Sequence, residues 1–133
     1  MVRILFVCVE NSNRSQMAEA FARWHGDGAH VTAVSAGSAP SGQINPRAVA
    51  MMQERGIDLT VHRSKSLDEI GTEPFDALVT MGCGDACPWV PATRRQDWAL
   101  PDPKYLSDDG FRAVRDDIEQ RVLKLLDELA PTA

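Results

Sequence analysis

The chain has 133 residues, 14 Lys and Arg against 19 Asp and Glu, and a net charge of −5. This length predicts a single domain spanning 1–133, and the ordinary balance of 44% hydrophobic and 25% charged residues excludes wholesale disorder. The acidic balance disfavours a general nucleic-acid binder, and no apolar run approaches the roughly 18 residues of a membrane span.

Val2 to Val7 is short and mostly apolar, as suits a strand buried on both faces. It is too short for a signal-peptide core, so the chain is expected to be cytoplasmic, where structural disulfides are rare. Met17, Ala18, Ala20, Phe21 and Trp24 then form one stripe of a helix ending near Gly26. Val31 to Ser35 predicts a second strand. Asn45-Pro46 predicts a cap and first turn of a helix that carries Ala48, Val49 and Met52 and stops at Gly56. Ser66 to Glu69 reads as a capping box opening a short third helix. Asp76 to Met81 is the next strand and Trp98 to Leu100 a short last one. Phe111, Val114, Ile118, Val122, Leu125 and Leu129 recur at helical spacing behind Ser107 or Asp108 as cap. Strands alternating with helices predict an α/β fold: a small doubly wound parallel sheet of four strands, in the order 2-1-3-4, flanked by helices. In such a sheet ligands bind beyond the carboxyl ends of the strands, so residues that carry chemistry should follow strands.

They do. Cys8 follows the first strand and opens Cys8-Val9-Glu10-Asn11-Ser12-Asn13-Arg14-Ser15, a Cys-x5-Arg-Ser segment between strand and helix. A loop in this place can aim the backbone N–H groups of residues 9–15 into one concavity at the positive end of a helix. Arg14 adds a planar fork suited to a tetrahedral oxyanion. The same field is expected to favour Cys8 as thiolate, the nucleophilic form, with Ser15 donating to the sulfur. The blander alternative, an inert buried cysteine beside a surface arginine, leaves the shared spacing unexplained. The Gly-x4-Gly-Lys-Ser/Thr loop of triphosphate hydrolases is absent.

Cys83 and Cys87 lie in Met81-Gly82-Cys83-Gly84-Asp85-Ala86-Cys87-Pro88, after the third predicted strand and on the same sheet edge as Cys8. Three cysteines cannot all pair within one chain, so a static disulfide framework is excluded. In a helical turn Cys83 and Cys87 would share a face, with Cβ atoms about 5–6 Å apart; bridging them requires local unwinding, which Gly82 and Gly84 permit. A zinc site is the competing reading, but a CxxxC pair with scattered His25, His30 and His62 is poor ligand spacing, so no metal and no cofactor are expected. Asp102, between Pro101 and Pro103, also falls at the carboxyl edge, either as a turn residue or as an acid.

The segment VCVENSNRSQMAEAFAR resembles the active-site segment of arsenate reductases built on the low-molecular-weight protein tyrosine phosphatase fold. The likeness continues through Ser35-Ala36-Gly37, Asn45-Pro46, His62-Arg63-Ser64-Lys65 and the stretch from Asp76 to Pro103. It implies that Cys8 attacks arsenate held by the loop and Arg14, that Asp102 protonates the departing oxygen, and that Cys83 and Cys87 carry a thiol–disulfide relay regenerated by thioredoxin or a similar dithiol. Phosphate would compete for the site. A phosphotyrosine-type phosphatase needing only Cys8, Arg14 and Asp102 is the alternative. Phosphatases of this fold usually place an aromatic directly after Asp-Pro, whereas here Lys104 precedes Tyr105. Some members of the family hold potassium behind the loop. The corresponding positions are Asn11, Glu19, Ser35 and Lys65, and Lys65 stands where those members carry an aspartate; its ammonium could take the cation's place and pair with Glu19. Glu10, unhelpful near an anion, is expected to point outward.

Overall fold

The computed structural model describes residues 2–28, 30–71, 73–81 and 90–129. Its elements are β1 (Val2–Cys8), α1 (Arg14–His25), β2 (Val31–Gly37), α2 (Pro46–Gln53), β3 (Phe75–Thr80), β4 (Ala92–Asp97) and α3 (Asp108–Leu129). Short 3₁₀ turns occupy Leu59–Val61, Leu67–Glu69 and Pro103–Tyr105. The four strands form one sheet in the order β2-β1-β3-β4, and every neighbouring pair is parallel. This is the predicted topology. The strand order reverses between β1 and β3, so the carboxyl ends of these two strands flank the crevice where such sheets place their ligands.

Successive residues of β1 enter different cores, as period-two side-chain alternation requires. Ile4, Phe6 and Cys8 pack under the helices with Met17, Phe21, Phe111 and Ile118, while Leu5 and Val7 meet Ala36, Phe75 and Leu78 on the other face. α1, α2 and α3 all contribute to the first and larger core. Leu67 and Ile70 close part of the second.

The expected caps of α2 and α3 are present. Asn45 Oδ1 accepts from Arg47 N at 2.9 Å ahead of Pro46, and Ser107 Oγ accepts from Gly110 N at 3.1 Å at the start of α3. Beyond α2, Gly56 takes a left-handed φ of +73°.

Two expectations need correction. The capping box at Ser66 opens a single 3₁₀ turn; Glu69 Oε2 accepts from Ser66 N at 3.0 Å, but no helix follows. The last strand is Ala92–Asp97, not Trp98–Leu100. Among the described residues β4 is an edge strand paired only with β3, so its Arg and Gln side chains lie along a half-covered surface and its sequence does not look apolar. Trp98 and Leu100 are buried because they follow the strand into the core: Trp98 packs on Phe6 with ring centroids 5.9 Å apart.

Candidate active site

Cys8 is the last residue of β1 and is paired with Gly37 at the end of β2. From there the chain crosses the sheet edge to α1, and every carbonyl on the way is held by a neighbour. Cys8 O accepts from Ser38 N at 3.4 Å, Val9 O from Ala39 N at 2.8 Å, and Ser12 O from Asn45 N at 2.9 Å. Glu10 O accepts from both Ser41 N and Ser64 Oγ at 3.0 Å. Asn11 O takes Gln16 Nε2 at 3.2 Å, and Asn13 O takes Met17 N at 2.9 Å. In a trans peptide plane the N–H points opposite the preceding C=O. Fixing these carbonyls on the scaffold therefore turns the amides of residues 9–14 the other way. Of these, Arg14 N is met by Asn13 Oδ1 at 2.6 Å; the amides of residues 9–13 have no acceptor among the described residues.

Gly37 makes this path possible. A Cβ there would lie 2.6 Å from Val9 O and 3.0 Å from Asn11 N. Asn11 turns the corner with φ +50°, in the left-handed region that asparagine tolerates better than most residues. Both polar atoms of its side chain are engaged. Oδ1 accepts from Lys65 N at 2.8 Å and Gln16 Nε2 at 2.9 Å, and Nδ2 donates to Ser15 Oγ at 2.8 Å. Because Ser15 Oγ accepts from Asn11, its own hydrogen is free for Cys8 Sγ, 2.8 Å away.

Arg14 is buried beside the loop. Nη1 donates to Leu100 O at 3.0 Å, Nη2 lies 3.9 Å from Asp102 Oδ2, and Nε is buried without a hydrogen-bond partner among the described residues. One edge of the guanidinium is thus spent on positioning, while Nε on the other edge is left with an unmet hydrogen bond. A buried unmet donor of this kind is costly unless a ligand satisfies it. Asp102 stands beside Arg14 and the end of the loop. Its Oδ1 accepts from Lys104 N at 3.0 Å and from Asn13 Nδ2 at 3.4 Å, while its side chain stays partly open to solvent.

Behind the loop lies a buried polar network. Gln16 Nε2 also donates to Arg63 O at 2.9 Å. His62 Nδ1 sits 2.8 Å from Glu19 Oε2 and 3.1 Å from Gln16 Oε1; both are acceptors, so Nδ1 carries the hydrogen. Lys65 Nζ lies 3.5 Å from Glu19 Oε1, and Arg23 reaches Glu19 Oε2 at 3.6 Å. Burial pushes the Glu19 carboxyl up. The His62 hydrogen bond and the charges of Lys65, His62 and Arg23 outweigh it and hold the carboxyl below its usual value. The positions corresponding to a potassium site thus place an ammonium group on the carboxylate, a donor set that does not suit a further cation. Ser35 Oγ is buried on β2 without a hydrogen-bond partner among the described residues.

The structure therefore brings Cys8, Asn11, Asn13, Arg14, Ser15 and Asp102 together, and joins Glu19 and Lys65 behind them. Glu10 is half-exposed, and its Oε1 lies 3.5 Å from Lys104 Nζ. Cys83 and Cys87 lie outside the described residues. Met81, the last described residue before them, donates its N–H to Val7 O at 2.8 Å, so the chain enters that segment beside the Cys8 end of β1. Gln16 and His62 are the participants that sequence reasoning missed. Among the described residues no three His, Cys, Asp or Glu side chains gather in a way that could hold a metal ion. No helix among them is long and apolar enough to cross a membrane.

An open α/β sheet with a cysteine at the switch point, outward-bound carbonyls and a buried arginine defines a class: small doubly wound domains whose cysteine loop has the geometry to receive a tetrahedral oxyanion. Within that class, the chain belongs to the low molecular weight phosphotyrosine protein phosphatase family, which matches residues 3–132. It is 37% identical over 98% of its length to a Synechocystis protein named glutaredoxin arsenate reductase, all of which is covered. Among solved structures, an arsenate reductase in the phosphate binding state superposes with TM-score 0.88 at 36% identity, over 98% of this chain and 100% of that one. A Corynebacterium glutamicum thioredoxin-dependent arsenate reductase superposes with TM-score 0.78 at 32% identity, over 96% of this chain and 61% of that one.

Proposed function

We propose that this protein reduces arsenate to arsenite, with Cys8 as nucleophile and a dithiol protein as electron donor. The observation that carries the reading is the buried Nε of Arg14, without a hydrogen-bond partner among the described residues, beside a loop whose carbonyls are bound outward. That arrangement asks for a tetrahedral oxyanion, and the activity named for its relatives identifies arsenate.

In the proposed sequence the Cys8 thiolate attacks arsenic(V), held by the amides of Val9, Glu10, Asn11, Ser12, Asn13 and Ser15 and by Arg14. Asp102 protonates the departing oxygen, which leaves as water, and a Cys8–arsenic adduct remains. Cys83 thiolate then attacks Cys8 Sγ; the sulfur–arsenic bond pair passes to arsenic, which departs as arsenite, and a Cys8–Cys83 disulfide forms. Cys87 attacks Cys83, moving the disulfide to Cys83–Cys87 and freeing Cys8 as thiolate. An external dithiol then reduces Cys83–Cys87. Asn11, Glu19, Ser35 and Lys65 support the loop, with the Lys65 ammonium in place of a potassium ion.

Thioredoxin is the donor that two additional cysteines favour, because a glutathione-type reductant needs Cys8 alone. The Synechocystis relative makes glutaredoxin the comparison to run. The relay also calls for a compartment that keeps free thiols reduced, the cytoplasm.

The test is arsenite formation by the wild type with thioredoxin or glutaredoxin systems, with phosphate added as competitor. Cys8→Ser should be inactive, and Cys87→Ser should release about one arsenite per chain and then stall as an oxidised protein. Sustained turnover by Cys87→Ser with thioredoxin would refute the relay. The same Cys8, Arg14 and Asp102 would serve a phosphomonoesterase. Wild-type hydrolysis of an aryl phosphate without arsenite formation would select that reading.

A further inference from the structure

Beside the Arg14–Asp102 ion pair, two side-chain contacts join the Cys8 loop to the turn that carries Asp102. One is Asn13 Nδ2 to Asp102 Oδ1 at 3.4 Å; the other is Glu10 Oε1 to Lys104 Nζ at 3.5 Å. Asn13 and Glu10 lie toward opposite ends of the loop, so the links bracket the peptide planes whose N–H edges turn away from the scaffold. Lys104 projects from a fixed backbone. Its N–H is bound to Asp102 Oδ1 at 3.0 Å, and its carbonyl accepts from Arg47 Nη1 at 3.1 Å. Arg47 in turn holds Leu106 O at 2.7 Å and lies 4.9 Å over the Phe111 ring, tying the turn to the core.

Tyr105, the aromatic nearest to Asp102 in the chain, is 85% exposed, and Lys104 Nζ lies 5.5 Å from its ring centroid. The ring that could stack on an aromatic ester is therefore out in solvent. The Lys104 stem passes from the Asp102 turn to the start of the loop instead. The charge of Glu10, followed by that of Tyr105, raises the Lys104 pKa, so its ammonium stays charged.

We propose that the Glu10–Lys104 ion pair is a strap across the mouth of the anion cup, and that Lys104 determines specificity by admitting a small inorganic oxyanion while shutting out aryl esters of the same acid. The inference deepens the reading of the site as one for an inorganic oxyanion and rests on it. An ester would have to direct its leaving group past Asp102, through the space the lysine stem crosses. Arsenate and phosphate carry no such group and fit beneath it. The strap also explains a carboxylate at Glu10: neutralised by Lys104, it anchors the lysine without opposing the anion. A half-exposed pair such as this is weak enough to open for entry.

The experiment measures dissociation constants of inorganic phosphate and phenylphosphonate, which share the tetrahedral dianion but differ by a phenyl group. It compares the wild type with Lys104→Ala, Glu10→Gln and the double variant by titration calorimetry at mildly alkaline pH. Both ligands are dianions, so a general change in surface charge cancels in the ratio of the two constants. Lys104→Ala should move that ratio about tenfold toward phenylphosphonate. Glu10→Gln should move it in the same direction, and the double variant should go no further than Lys104→Ala. A ratio that stays at its wild-type value in Lys104→Ala overturns the strap. Arsenite formation by the wild type is followed separately. Its absence with intact phosphate binding would remove arsenate as substrate and leave the strap standing, whereas an unchanged ratio with normal arsenite formation would remove the strap alone.

Discussion

Asn11 is where the demands on the loop meet. It takes a left-handed turn, a conformation that costs a non-glycine residue of order 1–3 kcal/mol unless its surroundings fix it. Those surroundings are Lys65 N, Gln16 Nε2 and Ser15 Oγ, and the last of these delivers a hydroxyl to Cys8. Cys8 is thus held by a chain of side chains that begins at the Glu19–His62 pair. Lys65 closes that chain with its ammonium 3.5 Å from Glu19, in the place proposed above for an exchangeable ion. Arsenite formation measured in potassium chloride and in sodium chloride at equal ionic strength should agree to within about twofold, because only non-specific screening acts on the site. A several-fold preference for potassium would show that an ion binds despite the ammonium. The Cys-x5-Arg-Ser segment was legible because all its members lie within eight residues. Gln16 and His62 were not, because a glutamine inside a helix and a histidine in a turn declare no role until the fold joins segments more than forty residues apart.

At the scale of elements, the site is made by how β1 and β2 end. Cys8 pairs with Gly37, and the loop leaving β1 folds back across the end of β2 so closely that only a hydrogen fits at the Gly37 α-carbon. Gly37→Ala should therefore push Val9 and Asn11 outward. The expected cost is about 1–3 kcal/mol in urea unfolding, as for other overpacked positions, with phosphate affinity lowered on the order of tenfold or more as the amides lose their alignment. Wild-type phosphate affinity in this variant would mean that the close approach does not shape the cup. The contrast with β4 shows what local sequence conveys. β1 is buried along most of its length and announces itself as an apolar run. Ala-Thr-Arg-Arg-Gln-Asp is an edge strand whose exposure alternates, and its charged residues hide it. The buried Trp98 and Leu100 just beyond attract the assignment instead, although they serve to carry the chain to Arg14 and Asp102. Likewise the box at Ser66 marks a real turn, but too few apolar positions follow to extend it into a helix.

Among the described residues, two charge networks contribute to the response to acid. The buried one surrounds Glu19 behind the loop. The more exposed one joins the segment after α2, α3 and the end of α1 around the buried Arg115: Glu54 meets Arg112 at 2.9 Å and Arg115 at 2.6 Å, Asp116 meets Arg55 and Arg115 at 2.8 Å, and Glu119 meets His25 at 2.8 Å. Hydrogen bonds from Arg112 and Arg115 bring the Glu54 carboxyl down from 4.5 to about 2. Asp116 is also lowered: burial opposes the shift, and the bonds and charges of Arg115 and Arg55 prevail. In all three carboxylates the folded-state pKa lies below the unfolded one. The unfolded chain therefore binds more protons as pH falls between those values, and stability drops with it. Their contribution is present in full above the usual carboxylate range, begins to fall near 4.5, and for Glu54 is lost as the pH nears about 2. Urea midpoints should accordingly be level between about pH 7 and 5 and decline steadily below about 4.5. The two networks separate by salt. At about 1 M the screening length is near 3 Å, so the part of the decline due to the exposed ladder should shrink, while the part due to Glu19 should persist. Glu54→Gln should remove most of the salt-sensitive part and leave phosphate binding unchanged, because the ladder lies away from the cup. A midpoint that holds constant down to about pH 3 would show that these carboxylates are not stabilised by folding.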